Sequence, residues 1–278
     1  SDAGAADGSR DFPYPSIGAA LEAACQGTTV RVRAGEYPES VAIRKSAITL
    51  EAWDKGALPG SGLQPVLVPP KGSPGVFVEG VRDVEISGLE IRSATTAGIW
   101  LETSQVTIES CSIRGTTPNE DPEYEQTTGF GVFARGYSHC TLCESLIEDS
   151  ANAGIMLRES AAIIRSNRLF RNMQGAFMME LCDPTAFAKA VGPGGGVPEL
   201  VRFEENTLRD NAVFGIGVFG SHASIIGNTV EGTTTNTASA YGDGIVVSDL
   251  LDETGEQTLG SSYALVTGQN QVSGSARV

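Results

Sequence analysis

The residues best suited to chemistry lie in short segments that each follow a glycine. Arg135 and Arg158 occupy equivalent places in two neighbouring segments, with Glu102 and Glu180 at the same place in the flanking ones. The residues two positions before these four are Trp100, Phe133, Met156 and Met178. Guanidinium groups bind carboxylates through paired hydrogen bonds, and aromatic rings offer flat apolar contact to sugar faces. The pattern predicts a surface that binds carboxylated carbohydrate.

The same side chains also have a purely structural interpretation. Inserted loops would pack over Trp100, Phe133 and Met156, and the glutamates and arginines would pair across strands. Against this, Arg135 and Arg158 would repel each other if neither had a ligand. Binding is therefore the favoured interpretation of the charged row, while both interpretations stand for the apolar row.

Three further residues are candidates for catalysis or substrate contact. Glu180 with Asp243, or with Asp249, would supply the two carboxylates of a glycoside hydrolase, which stand about 5 to 9.5 Å apart. His139 is a second candidate for a base, although its place beyond the strand favours a structural role. Tyr241, two residues before Asp243, is a candidate substrate contact.

The segments belong to a repeat with a period of about 22 residues, which is typical of a solenoid. Each copy has two apolar residues five positions apart, often with Asn two positions before the second, as at Asn167, Asn206 and Asn228. Strand-like alternation places Ile99 and Leu101 inward and Trp100 outward. A leucine-rich repeat would need several leucines and an outer helix in each copy, and neither is present. The sequence therefore predicts an all-β fold, a single-stranded right-handed parallel β-helix.

The amino-terminal part predicts one helix that covers the open end of this solenoid. Residues 1–12 form a small, acidic tether, and residues 16–26 carry apolar residues on one helical face, with Ser16 as the N-cap and Gly27 as the stop. Residues 1–278 are expected to form one domain. Four loops interrupt the period, at 116–128, 182–198, 233–241 and 250–262, and they are expected to flank the segments that hold the arginines.

Ser16 to Leu50 resembles the first coil of the pectin-lyase-like superfamily. Within it, Gly35-Glu-Tyr-Pro-Glu39 is similar to the G-x-Y-x-E element of pectin methylesterases. The paired aspartates of those esterases, the R-x-P-x-x-R pattern of pectate lyases and the G-H-G of polygalacturonases are absent. Tyr241-Gly-Asp-Gly244 is only distantly similar to the polygalacturonase N-T-D motif. No family catalytic set therefore transfers residue by residue.

The resemblance implies a carbohydrate-active protein. A polysaccharide lyase that cleaves uronate-containing glycans by β-elimination is the first hypothesis, followed by a glycoside hydrolase or C5-epimerase. In a lyase, Arg135 and Arg158 would neutralise the substrate carboxylate and remove the neighbouring proton. The alternatives are a non-catalytic carbohydrate-binding or adhesin-like module and, less favoured because histidine is scarce, an accessory protein of metal-cluster maturation.

Charge and composition restrict the partners and the compartment. A net charge of −15 argues against duplex nucleic acid, and no apolar run is long enough for a membrane span. Cys140 and Cys143 are more simply core residues than a redox pair. The acidic run Asn119 to Glu125 is a possible Ca²⁺ ligand set, although such runs are usually solvated, and no other metal site is expected. A secreted, periplasmic or surface-tethered monomer is predicted.

Overall fold

The structure, a computed structural model, describes residues 6–54, 63–119, 128–180, 201–236 and 241–277, except 253 and 256. Its strands form three long parallel sheets, and each coil except the last described one contributes one strand to each sheet. Val, Ile and Leu side chains from all three sheets fill one continuous core. The chain is thus a right-handed parallel β-helix, as expected.

Sheets A and B have nine strands each, and their members lie in chain order along the solenoid. Sheet A consists of β1 (Thr29–Val32), β4 (Thr49–Ala52), β7 (Val84–Ser87), β10 (Gln105–Glu109), β13 (His139–Cys143), β16 (Ala161–Arg165), β19 (Val201–Glu204), β22 (His222–Ile226) and β27 (Tyr263–Thr267). Sheet B consists of β2 (Gly35–Tyr37), β5 (Pro65–Leu67), β8 (Glu90–Arg92), β11 (Ser112–Arg114), β14 (Leu146–Glu148), β17 (Arg168–Phe170), β20 (Thr207–Arg209), β23 (Thr229–Glu231) and β28 (Gln271–Ser273).

Sheet C has eight strands, and most of them are longer than those of sheet B. It consists of β3 (Val41–Ile43), β6 (Val76–Glu79), β9 (Ala97–Glu102), β12 (Phe130–Arg135), β15 (Ala153–Arg158), β18 (Gln174–Met179), β21 (Phe214–Phe219) and β24 (Asp243–Ser248). A short antiparallel hairpin, β25 (Leu250–Leu251) and β26 (Thr258–Gly260), follows it. The loops at 116–128 and 233–241 join sheet B to sheet C, and those at 182–198 and 250–262 leave sheet C. Their attachment points therefore lie at the two ends of the sheet C strands, and the placement of the loops themselves stays a prediction, since most of their residues lie outside those described.

A ladder of buried amides fixes the corner between sheets A and B. The side-chain oxygen of Asn206 accepts hydrogen bonds from the backbone N–H of Asn167 at 3.0 Å and from its amide at 3.1 Å. The side-chain oxygen of Asn228 accepts the corresponding two hydrogen bonds from Asn206, and that of Asn270 accepts them from Asn228. Each coil is thereby tied to the next through groups that would otherwise be unsatisfied in the core.

A second ladder, which the sequence analysis missed, lies at the corner between sheets B and C. The side-chain oxygen of Asn172 accepts from the backbone N–H of Ser150 at 3.0 Å, and that of Asn211 accepts from Asn172 at 2.9 Å. Both asparagines are buried and stand five residues after a member of the first ladder. That repeated Asn-x4-Asn spacing was the available signal.

Helix α1 (Ile17–Ala23) covers the amino-terminal end of the core with Ile17 and Leu21, as predicted. Ser16 is the N-cap, but the helix ends at Ala23 and not at Gly27. Lys45 caps this end of the helix, because its ammonium group donates hydrogen bonds to the carbonyls of Glu22 at 2.6 Å and Ala24 at 2.8 Å.

The Gly-Glu-Tyr-Pro-Glu element anchors this helix. The Glu39 carboxylate accepts hydrogen bonds from the backbone N–H groups of Ile17 at 2.8 Å and Gly18 at 2.9 Å. These are donors that the first turn of a helix cannot satisfy internally. The motif that suggested the superfamily therefore has a structural role in this chain.

Candidate functional site

Three of the four apolar residues predicted to face outward from sheet C form a straight row. Trp100 is in register with Phe133, and Phe133 with Met156. Glu102 is in register with Arg135, and Arg158 ends the next strand at the corresponding place. We refer to the outer surface formed by these six residues as the arginine–aromatic face. It lies between the two sets of loop attachments.

A column of glycines beneath this face keeps adjacent coils close together. A Cβ atom on Gly98 would lie 2.7 Å from the carbonyl oxygen of Gly131, and one on Gly175 would lie 2.2 Å from that of Gly215. The same conflict occurs at Gly131, Gly154 and Gly215, and none of these five glycines has a positive φ. Close approach of the backbone, and not turn geometry, thus explains the repeated glycine.

The apolar row is largely buried. Phe133 and Met156 are only 4% and 7% exposed and form a second hydrophobic cluster with Phe130 and flanking alanines. The ring of Phe133 lies 4.9 Å from that of Phe130 and 5.0 Å from that of Trp100. Trp100 remains partly exposed, so it is the member of the row that a ligand can reach.

One predicted contact residue faces the wrong way. Met178 is fully buried in the main core, in register with Leu157, and Phe177 and Met179 face outward instead. Leu169 is six residues before Gly175, whereas seven residues separate the equivalent positions Ile147 and Gly154. The shorter corner leaves the glycine in register, so counting from the preceding strand assigns the wrong side of the sheet.

The two arginines do not face each other without partners, so the argument from repulsion was wrong. Arg135 forms an ion pair with Glu102, and Arg158 forms one with Glu180 at 2.5 Å. Glu180 is not a strand residue but follows the end of β18, with a φ of 56°. The guanidinium carbon of Arg135 also lies 5.0 Å from the centre of the Trp100 ring, a cation–π contact.

Both arginine side chains nevertheless remain accessible. They are 45% and 44% exposed, and their ion pairs resemble exposed surface pairs, which stabilise a fold by no more than about 1 kcal/mol. The carboxylate of a ligand would replace that of Glu102 or Glu180 as the partner of the arginine. The geometry is suited to binding acidic groups beside an aromatic ring.

His139 does not join this face. It begins β13 in sheet A, where its register partners are Gln105 and Ala161. Burial lowers the pKa of its imidazole, which favours the neutral form. The structure therefore separates His139 from the two arginines by a corner of the solenoid.

Tyr241 and Asp243 also lie apart from the arginines. Asp243 begins β24, three strands beyond β15, which corresponds to about 14 Å across the sheet. It pairs with Arg277 at 3.4 Å, and Tyr241 is exposed just before it. Glu180 follows the opposite end of its strand, so Glu180 and Asp243 are too far apart for the carboxylate pair of a hydrolase. Asp249 follows β24 at the same end as Glu180, so the pairing of Glu180 with Asp249 stays a prediction.

Neither redox nor metal chemistry gains support from the described residues. Burial raises the pKa of Cys111 and that of Cys140 to about 12, so both remain thiols within the core, and Cys143 is buried as well. The described residues contain no group of three or more His, Cys, Asp or Glu that would hold a metal ion. Cys182 and most of the acidic run proposed for Ca²⁺ lie outside the described residues, so the calcium site stays a prediction. The one helix among them has seven residues, too few to cross a bilayer.

A family model described as "Right handed beta helix region" matches residues 74–250. The chain belongs to this family. The match includes the arginine–aromatic face and both asparagine ladders except Asn270, and it agrees with the expected pectin-lyase-like fold. No curated protein matches the sequence.

Several solved structures resemble the β-helix at low sequence identity. An alginate lyase from Paenibacillus sp. str. FPU-7 is 16% identical, with a TM-score of 0.50 and 92% of each chain covered. The pectate lyase Pel9A is 12% identical, with a TM-score of 0.48, covering 95% of this chain and 73% of the other. The A-module of the mannuronan C-5 epimerase AlgE6 from Azotobacter vinelandii is 13% identical, with a TM-score of 0.48 and coverage of 92% and 82%. At such identities the likeness shows the fold.

Proposed function

We propose that this protein binds uronate-containing polysaccharides along the arginine–aromatic face and cleaves them by β-elimination, outside the cytoplasm. The observation that carries the proposal is the cluster of Arg135, Trp100 and Glu102, with Arg158 on the next strand. A sugar ring would stack on the exposed part of Trp100, and its carboxylate would take the place of Glu102 beside Arg135. The solved structures of similar fold include polysaccharide lyases, which accords with this substrate class.

Each arginine has a separate role in this reaction. Arg135 neutralises the substrate carboxylate, which makes the proton on the adjacent C5 more acidic. Arg158 takes that proton. The electron pair left on C5 forms the C4–C5 double bond, and the glycosidic oxygen departs with its bonding electrons and takes a proton from water. Arg158 acts in this way only as a neutral guanidine.

A second candidate, a binding module without catalysis, is favoured by one observation. Arginine is ordinarily protonated in proteins, and Arg158 pairs with the Glu180 carboxylate at 2.5 Å. A permanently charged guanidinium binds carboxylates well but does not remove a proton. The lyase and the binding module would use the same surface and differ only in whether the bound polysaccharide is cleaved.

The test uses polygalacturonate, polymannuronate and polyguluronate with Arg135→Ala and Arg158→Ala variants. The ultraviolet absorbance of the unsaturated product measures cleavage, and calorimetry measures binding. For a lyase we expect each variant to lose activity by about 100-fold or more. Arg209→Ala is the matched control, because Arg209 also pairs across strands, with Glu231 at 2.8 Å, but lies on sheet B. It should behave as the unmodified protein.

The outcomes separate the two candidates. Product formation that both variants abolish, with unchanged thermal unfolding, supports the lyase. Binding without product, weakened about tenfold by either variant, supports the binding module. If no polyuronate binds, or if the variants bind as the unmodified protein does, the assignment of this face is wrong.

A further inference from the structure

A second concave site lies at the amino-terminal end of the solenoid, away from the arginine–aromatic face. It is a cavity of about 730 Å³, within the size range of small-molecule sites. The segment from Asp7 to Ser16 forms one wall, and α1, β1, Tyr37 and Trp53 form the others. Its position at the end of sheet A separates it from the rows on sheet C.

The charges lining this cavity differ from those of the whole chain. Although the net charge is −15, the lining contains Arg10, Arg31 and Arg33 and a single carboxylate, that of Asp7. Asp7 is already engaged, because it accepts a hydrogen bond from the backbone N–H of Ser9 at 2.8 Å. Local attraction for an anion is therefore expected despite repulsion at long range.

The three arginines have different partners. Arg31 is neutralised by Glu51 at 2.8 Å. The side chains of Arg10 and Arg33 are exposed, and neither forms an ion pair within the part of the chain that the structure describes. Two cationic groups are thus available to a ligand, and their partner is expected to be a carboxylate or a similar anion.

Arg33 is held in place beside an aromatic ring. Its guanidinium group donates to the backbone carbonyl of Arg10 and lies 5.8 Å from the centre of the Trp53 ring. The Tyr37 hydroxyl group donates to the backbone carbonyl of Arg33 at 3.0 Å. Trp53 itself is 45% exposed. A flat apolar surface and a fixed cation therefore stand side by side before any ligand arrives.

We propose that this cavity binds a single carboxylated sugar ring, a hexuronate unit. The pyranose face would stack on Trp53, and the carboxylate would lie between Arg33 and Arg10. This inference rests on the cavity alone and does not require the function proposed for the arginine–aromatic face. It gives the chain a second carbohydrate site, on a different sheet.

The chain's two tryptophans permit a test of each site by itself, since one lies in the cavity and one on the arginine–aromatic face. In a Trp100→Phe variant all indole fluorescence comes from Trp53. Titration with trigalacturonate should change this emission saturably, and the neutral trisaccharide maltotriose should not. Adding Arg10→Ala to this variant should weaken binding about tenfold, and raised salt should weaken it further. Arg168→Ala, at an exposed arginine on sheet B, is the matched control and should bind normally.

The result is decisive in either direction. An absent saturable change, an equal response to maltotriose, or unchanged affinity in the Arg10→Ala variant would overturn the cavity site. Arg10→Ala removes an exposed side chain without an ion pair, so misfolding is not expected to obscure the result. The converse variant, Trp53→Phe, reports from Trp100 alone and tests the arginine–aromatic face, so failure of one site is distinguished from failure of the other.

Discussion

At the scale of single residues, alternation along a strand predicted most of the surface correctly. Trp100, Phe133 and Met156 face outward because every second side chain of a strand points to the same side. Met178 was misassigned because one corner is a residue shorter, and backbone contact between glycines, not chain length, sets the register there. The spacing of residues in the sequence does not show which corner of a repeat is the shorter one.

The glycine column should be intolerant of even a methyl group. In Gly175→Ala the new Cβ would meet the Gly215 carbonyl at 2.2 Å, and the backbone of two coils would have to move apart. We expect a loss of about 1 to 3 kcal/mol in the free energy of unfolding, measured by denaturant titration.

Gly72→Ala is the comparison for this substitution. No atom lies within 4 Å of its added Cβ, and only the φ of +79° opposes a side chain. We expect Gly72→Ala to lower the free energy of unfolding by about 1 kcal/mol. Equal costs at Gly72 and Gly175 would mean that close approach of the coils is not what requires glycine.

At the scale of elements, corners determine the fold as much as strands do. The first asparagine ladder was visible in the sequence because Asn167, Asn206, Asn228 and Asn270 occupy the same place in their copies of the repeat. The second has asparagine at only two places, 172 and 211, and Ser150 joins it through its backbone N–H, so no single residue type marks it along the chain. The capping helix was predicted from its apolar face, whereas its terminal partners, Glu39 and Lys45, are distant in sequence and could not be.

An interior rung of the first ladder should matter more than its last rung. Asn206→Ala would remove the acceptor of the Asn167 backbone N–H and the donor to the Ile164 carbonyl, both buried. We expect about 3 kcal/mol of destabilisation by thermal or chemical unfolding, because buried groups lose their partners.

Asn270→Ala, at the partly exposed end of the ladder, is the control. Water can replace its hydrogen bonds, so a cost of about 1 kcal/mol is expected. A loss at position 270 as large as that at 206 would contradict the role assigned to burial.

At the scale of the whole molecule, the two ends of the described solenoid differ. Helix α1 covers the first coil, but Tyr263 and Val266 on β27 of the last described coil are half exposed. The repeat period predicted stacked coils with parallel strands, which the three long sheets show. Pairing of the glutamates with the arginines was foreseen as the structural interpretation, and the structure shows it. The amino-terminal cavity could not be predicted, because it depends on side chains brought together across coils and corners.

Hydrogen exchange should follow this asymmetry. We expect amides of β12, β15 and β16 to be the most protected, and those of β24, β27 and β28 to exchange faster by about tenfold or more, since local opening is easiest where few apolar contacts are lost. Mass spectrometry of peptic fragments measures this directly. Uniform protection along the solenoid would show that the carboxyl-terminal coil is as well supported as the centre.

The glycine column also has a mechanical consequence. Because carbonyl groups of successive coils almost touch the bare α-carbons of their neighbours, the vertical distance between coils at that corner is already near its minimum. The surface above therefore holds its accessible side chains, Trp100, Arg135 and Arg158, at fixed intervals. A polymer bound along this surface would have to bend to match those intervals. Its stiffness and repeat length, as well as its charge, would therefore determine its affinity.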